Sequence, residues 1–207
     1  VLADPYTFGV LIPTDKEIRA LHRKYAPTQE AFDLVYTHCV IVCGIAEQLL
    51  TRTDLNLNAD LVRAGSLLHD IGVYRLYGTS GKLDQASYIR HGILGYELLQ
   101  HEGFPKAICR FCSCHTGMGL SRDDVRKQGL PLPIADYLAE SGEEELVMYA
   151  DKFHSKTEPP TFVTAASYAA HVRRFGEDKT ATFRLMCESF GAPDLTPFIT
   201  VHGYALA

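Results

Sequence analysis

The chain has 207 residues, of which 46% are hydrophobic and 22% charged, ordinary proportions for a globular protein with a real core, and room for one generous domain or two tight ones. A formal net charge of -5 argues against a broad nucleic-acid-binding surface, and no glycine-rich phosphate loop or interleaved basic-aromatic stretch speaks for one. No apolar run is expected to reach the length of a membrane span, and residues 1–11 lack the charged start and cleavage site of a signal peptide. A cytoplasmic protein without membrane contact is therefore expected.

Residues 1–14 read as an irregular leader ending at Pro13. Residues 15–25 form a short amphipathic helix, with Thr14 as N-cap and Glu17 at the capping-box spacing. From 28 to 51, Phe32, Val35, Cys39, Val42, Ala46 and Leu49 recur at three- and four-residue steps, a helical stripe beside which His38 falls. Asn58 caps a helix running through Leu61, Ala64, Leu67 and Leu68 into His69-Asp70, and Gly72 is expected to end it. Residues 73–84 read as a loop. A helix from Asp84 or Ser87 follows, with Ile89, Ile93, Tyr96 and Leu99 in register and His91 in its first turns. Gly92 and Gly95 cost stability in a helix, so close packing beside them is expected.

Gly103-Phe104-Pro105 opens a helix that ends at His115-Thr116-Gly117. Leu130-Pro131-Leu132-Pro133 makes an extended connector. Residues 143–155 read as a helix with an acidic first turn, placing Val147, Ala150, Asp151 and His154 on one face. Two more helices are expected near 165–174 and 178–190. The tail from Gly191 carries Phe198, Ile199, Val201 and Tyr204, apolar enough to dock on the body or on a second subunit in a homodimer. Strand signals are sparse, so the fold class is all-α. Cys39, Cys43, Cys109, Cys112, Cys114 and Cys187 lack paired zinc-finger spacing and read as thiols in a reducing compartment.

Adjacent His69 and Asp70 cannot share a helix face, because neighbours point about 100° apart, yet both can turn to one cation where a helix frays. Alone, the pair has an ordinary explanation as a satisfied core histidine and a terminal aspartate. Together with His38, His91, His115 and Asp151 it makes four imidazoles and two carboxylates on apolar faces or helix ends. Buried polar groups of this kind need partners. A nitrogen- and oxygen-rich set suits Fe, Mn, Zn, Mg, Co or Ni rather than a thiolate zinc site.

This constellation resembles the HD superfamily of metal-dependent phosphohydrolases over a core of about residues 28–156. His38, the doublet in Leu67-Leu68-His69-Asp70-Ile71-Gly72, and Asp151 in Tyr149-Ala150-Asp151-Lys152 match its motif. His91 and His115 match the two extra histidines of branches that carry two metals. The His-Thr-Gly and Ala-Asp-Lys segments look most like the bacterial branch that cleaves diadenosine tetraphosphate symmetrically. That branch usually has a Lys soon after the doublet, where this chain has Gly72-Val73-Tyr74-Arg75. An extension over about 160–190 and a tail over 191–207 are extra to the core, all within one domain.

The resemblance implies two divalent metals, with Asp70 bridging a first held by His38, His69 and Asp151 to a second held by His91 and His115. It implies metal-activated hydroxide attacking a phosphate ester or anhydride of a small molecule, a nucleotide or dinucleoside polyphosphate. Lys152, Arg90 and Arg75 are the basic residues nearest these ligands in sequence and are the expected substrate-binding cations, with Asp70 and Lys152 in catalysis. His154, three residues after Asp151, is expected to support the ligands or carry protons. The same ligand set also serves mixed-valent diiron oxygenases, and a non-catalytic nucleotide sensor is a further alternative.

Overall fold

The computed structural model describes residues 11–79 and 81–207, so most of the expected leader at 1–14 lies outside the described residues. The fold is all-α, with ten α-helices and one small three-stranded sheet among the described residues. Helix α1 (Asp15–Tyr25) has the expected capping box, Thr14 accepting from the Glu17 N–H while the Glu17 carboxylate accepts from the Thr14 N–H. Helix α2 (Gln29–Leu50) is capped by Thr28 and buries Phe32, Val35, Cys39, Val42, Ala46 and Leu49 together with His38.

By length and composition α2 would suffice to cross a membrane, contrary to the sequence expectation. Its apolar face is instead occupied by α3 (Ala59–Leu68) and α7 (Gly142–Asp151), as befits the central helix of a bundle. The two flanking helices meet each other as well, so α2, α3 and α7 form the inner layer.

Asn58 caps α3 as expected. The helix stops at Leu68, however, and a six-residue 3-10 turn, Ile71–Leu76, follows. Gly72 is therefore not the terminator that its position indicated. It sits where the backbone of α4 (His91–His101) crosses. A Cβ there would lie 2.1 Å from the His91 carbonyl and 2.3 Å from the Gly95 nitrogen. Only glycine permits that approach. Helix α4 also begins later than expected, at His91, after a short 3-10 turn at Tyr88–Arg90. It packs closely on α5 (Lys106–Cys114), with Gly92 facing the Cys112 carbonyl.

Between α5 and α7 lies one short helix, α6 (Arg122–Lys127), with its own capping box of Ser121 and Asp124. Helix α7 ends at Asp151, four residues before the expected end. His154–Ser155 forms strand β1, antiparallel to β2 (Thr161–Phe162), which pairs in parallel with β3 (Ala205–Leu206).

Helices α8 (Ala165–Val172), α9 (Glu177–Phe190) and α10 (Thr196–His202) close the far side. Val172, Phe183, Met186 and Phe190 are buried in the same apolar cluster as the core of α2 and α7. The tail docks on this body through Phe198, Ile199 and Tyr204, leaving Val201 exposed.

Candidate metal centre

Each expected ligand is delivered by a helix that has its own reason to be there. His38 comes from the buried stripe of α2, and His69 and Asp70 from the frayed end of α3. His91 is the first residue of α4, His115 follows the last residue of α5, and Asp151 is the last residue of α7. The four imidazoles are buried, Asp70 is 1% exposed, and Asp151 is partly covered.

The six side chains converge. His38 Nε2 lies 3.0 Å from Asp151 Oδ1, 3.2 Å from Asp70 Oδ2 and 3.2 Å from His69 Nε2. His69 Nε2 is 3.5 Å from Asp151 Oδ1 and 3.6 Å from Asp70 Oδ2. On the other side, His91 Nε2 and His115 Nε2 are 2.9 Å apart, and each is 3.5 Å from Asp70 Oδ1. His38, His69 and Asp151 form one compact set of ligand atoms, and His69, Asp70 and His115 form another.

The tautomers follow from the outer nitrogens. His69 Nδ1 donates to the Ser66 carbonyl at 2.7 Å, His91 Nδ1 to the Tyr88 carbonyl at 2.7 Å, and His115 Nδ1 to the Phe111 carbonyl at 3.0 Å. Those protons leave the three Nε2 atoms as bare lone pairs turned inward. Burial lowers the His115 pKa and pushes that of His91 down to about 4, so both rings are neutral at pH 7. Two lone pairs facing each other across 2.9 Å repel, and Asp70 Oδ1 beside them is buried without a hydrogen-bond partner. A divalent cation resolves both conflicts, and the donor set therefore fits one.

Burial opposes charge on Asp70, yet the Lys156 ammonium holds its carboxyl well below the usual carboxylate range. Lys156 donates directly to Asp70 Oδ2. Burial likewise opposes charge on Asp151, and the Lys152 ammonium and His38 hold it in the ionised form. Lys152 is nearly buried and donates to Asp151 Oδ2 at 2.7 Å and to the His115 carbonyl at 2.8 Å. It ties the two sides of the cluster together.

Arg75 and Arg90 are not brought to the cluster. The 3-10 turn carries Arg75 outward to the Tyr25 ring, 5.8 Å from its centroid, and Arg90 is exposed. Neither lines the cavity beside the centre. The cation that sequence proximity missed is Lys156, which lies beyond the end of α7 and reaches Asp70 across 86 positions of chain. His154 does not continue α7. It sits in β1, and its Nδ1 meets His38 Nδ1 at 2.8 Å, one of the two donating.

Residues 35–156 match the HD domain family, a span that includes all six converging residues and both lysines. The chain belongs to the HD domain family. It is 33% identical over 120 residues to an uncharacterized protein of Methanocaldococcus jannaschii, covering 56% of this chain and 64% of that one. It is also 32% identical over 128 residues to a tRNA (cytidine(56)-2'-O)-methyltransferase of Picrophilus torridus, covering 62% of this chain and 33% of the enzyme. The chain thus spans under two thirds of the first of these relatives and about a third of the second. Among solved structures, the HD domain of the L. monocytogenes phosphodiesterase PgpH superposes with a TM-score of 0.50 at 18% identity, covering 82% of this chain and 94% of that domain. That domain has also been solved in complex with cyclic-di-AMP. At this identity the likeness speaks for the fold alone.

A cavity of about 240 Å³ opens directly on the HD doublet, lined by Asp70, His91, His115, Asp151, Lys152 and Lys156. It shares Tyr88, Thr116, Asp151, Lys152 and Lys156 with a second cavity of about 770 Å³ that runs on toward α8.

Proposed function

We propose that this chain is a metal-dependent phosphohydrolase. In this reading His38, His69, Asp70 and Asp151 hold one divalent metal, and Asp70, His91 and His115 hold a second. The observation that carries it is the division of the Asp70 carboxylate. Its Oδ2 faces His38 and His69, while its Oδ1 faces His91 and His115. A carboxylate with each oxygen turned to a separate pair of imidazole nitrogens is positioned to serve two ions. Membership of the HD domain family supports the same reading.

Bound divalent ions supply Lewis acidity toward a phosphoryl oxygen and lower the pKa of water enough to provide a nucleophile near neutral pH. The protein's own part is to hold the ligands and place positive charge. Lys156 lines the cavity that opens on the centre and donates to Asp70. Its ammonium can exchange Asp70 for a substrate oxygen and offset charge that develops during displacement. Lys152 donates to Asp151 and the His115 carbonyl and so positions the ligands, with a third N–H left for substrate. The cavity of about 770 Å³ falls in the range of small-molecule sites. The motif resemblance extends the substrate class to a nucleotide or dinucleoside polyphosphate.

The test combines elemental analysis with a phosphate-release screen over mono-, di- and dinucleoside phosphates, using wild type and Asp70→Ala. The wild type should release phosphate or nucleotide with Mn or Co. Asp70→Ala should lose bound metal and at least about a hundredfold in rate, since even removing an outer-shell partner of a metal ligand costs 10- to 100-fold. Iron with oxygen consumption and no phosphate release would overturn hydrolysis. Undiminished metal and activity in Asp70→Ala would overturn the site.

A further inference from the structure

The larger cavity changes character along its length. Near the centre it is walled by Asp151, Lys152 and Lys156, and along the C-terminal extension by Val163, Tyr168, His171 and Phe175, of which Tyr168 lies near Lys152 and Asp151. These last residues follow position 156, beyond the segment that matches the HD domain family. Tyr168, His171 and Phe175 are spaced along α8 and the 3-10 turn that continues it (Arg173–Phe175), so they share one side. The Tyr168 and His171 rings stack with centroids 5.7 Å apart and planes 28° apart, and Phe175 adjoins His171 at 5.6 Å.

The row is held from behind. Val172 is buried in the core, and Tyr168 packs against Phe183 of α9 with centroids 4.8 Å apart. Phe175 is nevertheless 49% exposed, a large ring left half in water at the edge of a cavity. Burial and the nearby Arg174 guanidinium lower the His171 pKa, so its ring is neutral at pH 7. Beside the row, the Arg174 guanidinium lies over the Phe175 ring, 4.9 Å from its centroid, with one nitrogen 2.9 Å from His171 Nε2. Lys179 donates to Asp124 at 2.7 Å and to the Gly119 carbonyl at 2.9 Å, and Lys152 is bound as described. A flat uncharged ring would find aromatic faces to stack on.

Resting on the phosphohydrolase reading, we propose that Tyr168, His171 and Phe175 form a ring-binding shelf for the non-phosphate part of the substrate, so that the preferred substrate is a phosphate ester of a nucleoside or similar ring system with its phosphate at the metal end. The C-terminal extension then selects the substrate, while the HD core performs the displacement. This places the ring of a mononucleotide-like ester on residues outside the HD core, His171 among them.

The experiment compares adenosine monophosphate with glycerol phosphate, which carries no ring, in wild type, Phe175→Ala and Phe175→Tyr. Phe175 is half exposed, so its replacement leaves the core packing intact. The shelf predicts that Phe175→Ala raises KM for adenosine monophosphate about tenfold, the change expected from about 1.4 kcal/mol, with kcat/KM for glycerol phosphate unchanged and Phe175→Tyr near wild type. Equal effects on both esters, or none, overturn the shelf. If wild type hydrolyses neither ester with any metal, the hydrolase reading fails, and calorimetric titration of adenosine monophosphate still decides the shelf. Binding weakened about tenfold in Phe175→Ala supports it, and no binding by wild type, or equal binding by both, overturns it.

Discussion

The two halves of the centre are built differently. His38, His69 and Asp151 come from the ends or interiors of the three inner helices, and both imidazoles lie within 3.6 Å of carboxylate oxygens from two aspartates. His91 and His115 come from the ends of α4 and α5 and share one carboxylate oxygen, Asp70 Oδ1, at 3.5 Å each. Their lone pairs face each other across 2.9 Å. The first half balances its own electrostatics with two carboxylates and a buried lysine. The second does not, and its geometry is imposed by backbone contacts at Gly72 and Gly92 rather than by a charge network. The half with less internal compensation is the one whose geometry most needs a cation.

The largest effect on that contrast should come from Gly72→Ala. The new Cβ would meet backbone atoms of His91 and Gly95 at 2.1 and 2.3 Å, and backbone cannot swing aside as a flexible side chain can. Overpacking of this kind costs about 1–3 kcal/mol and occasionally more, and the upper end is expected here. Thermal denaturation should show a clear fall in Tm, with the α4 side of the centre disturbed and the His38 side less so. A Tm equal to wild type would mean that α4 is not seated on the doublet as described.

His91→Ala separates the halves directly. It removes one lone pair from the repelling pair and leaves His38, His69, Asp70 and Asp151 in place. Elemental analysis should find about one metal equivalent lost per chain, the rest retained, because the remaining set still offers four ligands. Unchanged stoichiometry would leave a mononuclear centre and end the contrast.

Much of the first half was legible in the sequence because period 3.6 reports burial. His38 falls beside an apolar stripe, and Thr14 and Asn58 announce their helices through side-chain caps. What failed were inferences from sequence proximity and from glycine. Arg75 lies five residues from Asp70, yet the tight 3-10 turn carries it away to Tyr25, while Lys156 arrives from the irregular chain just after β1. No periodicity spans the break between α7 and β1, so neither the direction of Lys156 nor the contact of His154 with His38 could be read. Gly72 looked like a helix stop because glycine commonly ends helices, but here it admits another backbone. The cavity and its aromatic wall depend on how α8 packs against the core, which no local pattern encodes.

The smallest effect concerns what both halves stand on. His22 of α1 is fully buried beneath the doublet, its Nε2 2.8 Å from the Leu67 carbonyl and its Nδ1 2.9 Å from the Tyr74 hydroxyl. Burial pushes its pKa down to about 4 from an ordinary 6.5. Between those values the unfolded chain takes up a proton that the folded chain refuses. Stability is therefore fully present above pH 6.5 and is lost as pH falls toward about 4, by an upper limit of roughly 3 kcal/mol from this one group. Other neutral buried histidines add to the wild-type slope, so the informative quantity is a difference. Denaturant titrations of wild type and His22→Gln across this range should give a shallower decline in the variant, by up to one proton's worth of slope. Parallel curves would show that His22 is not refused its proton in the folded state. The doublet's support beneath both halves would then be insensitive to acid, and any acid lability of the protein would have to come from the imidazoles of the centre itself.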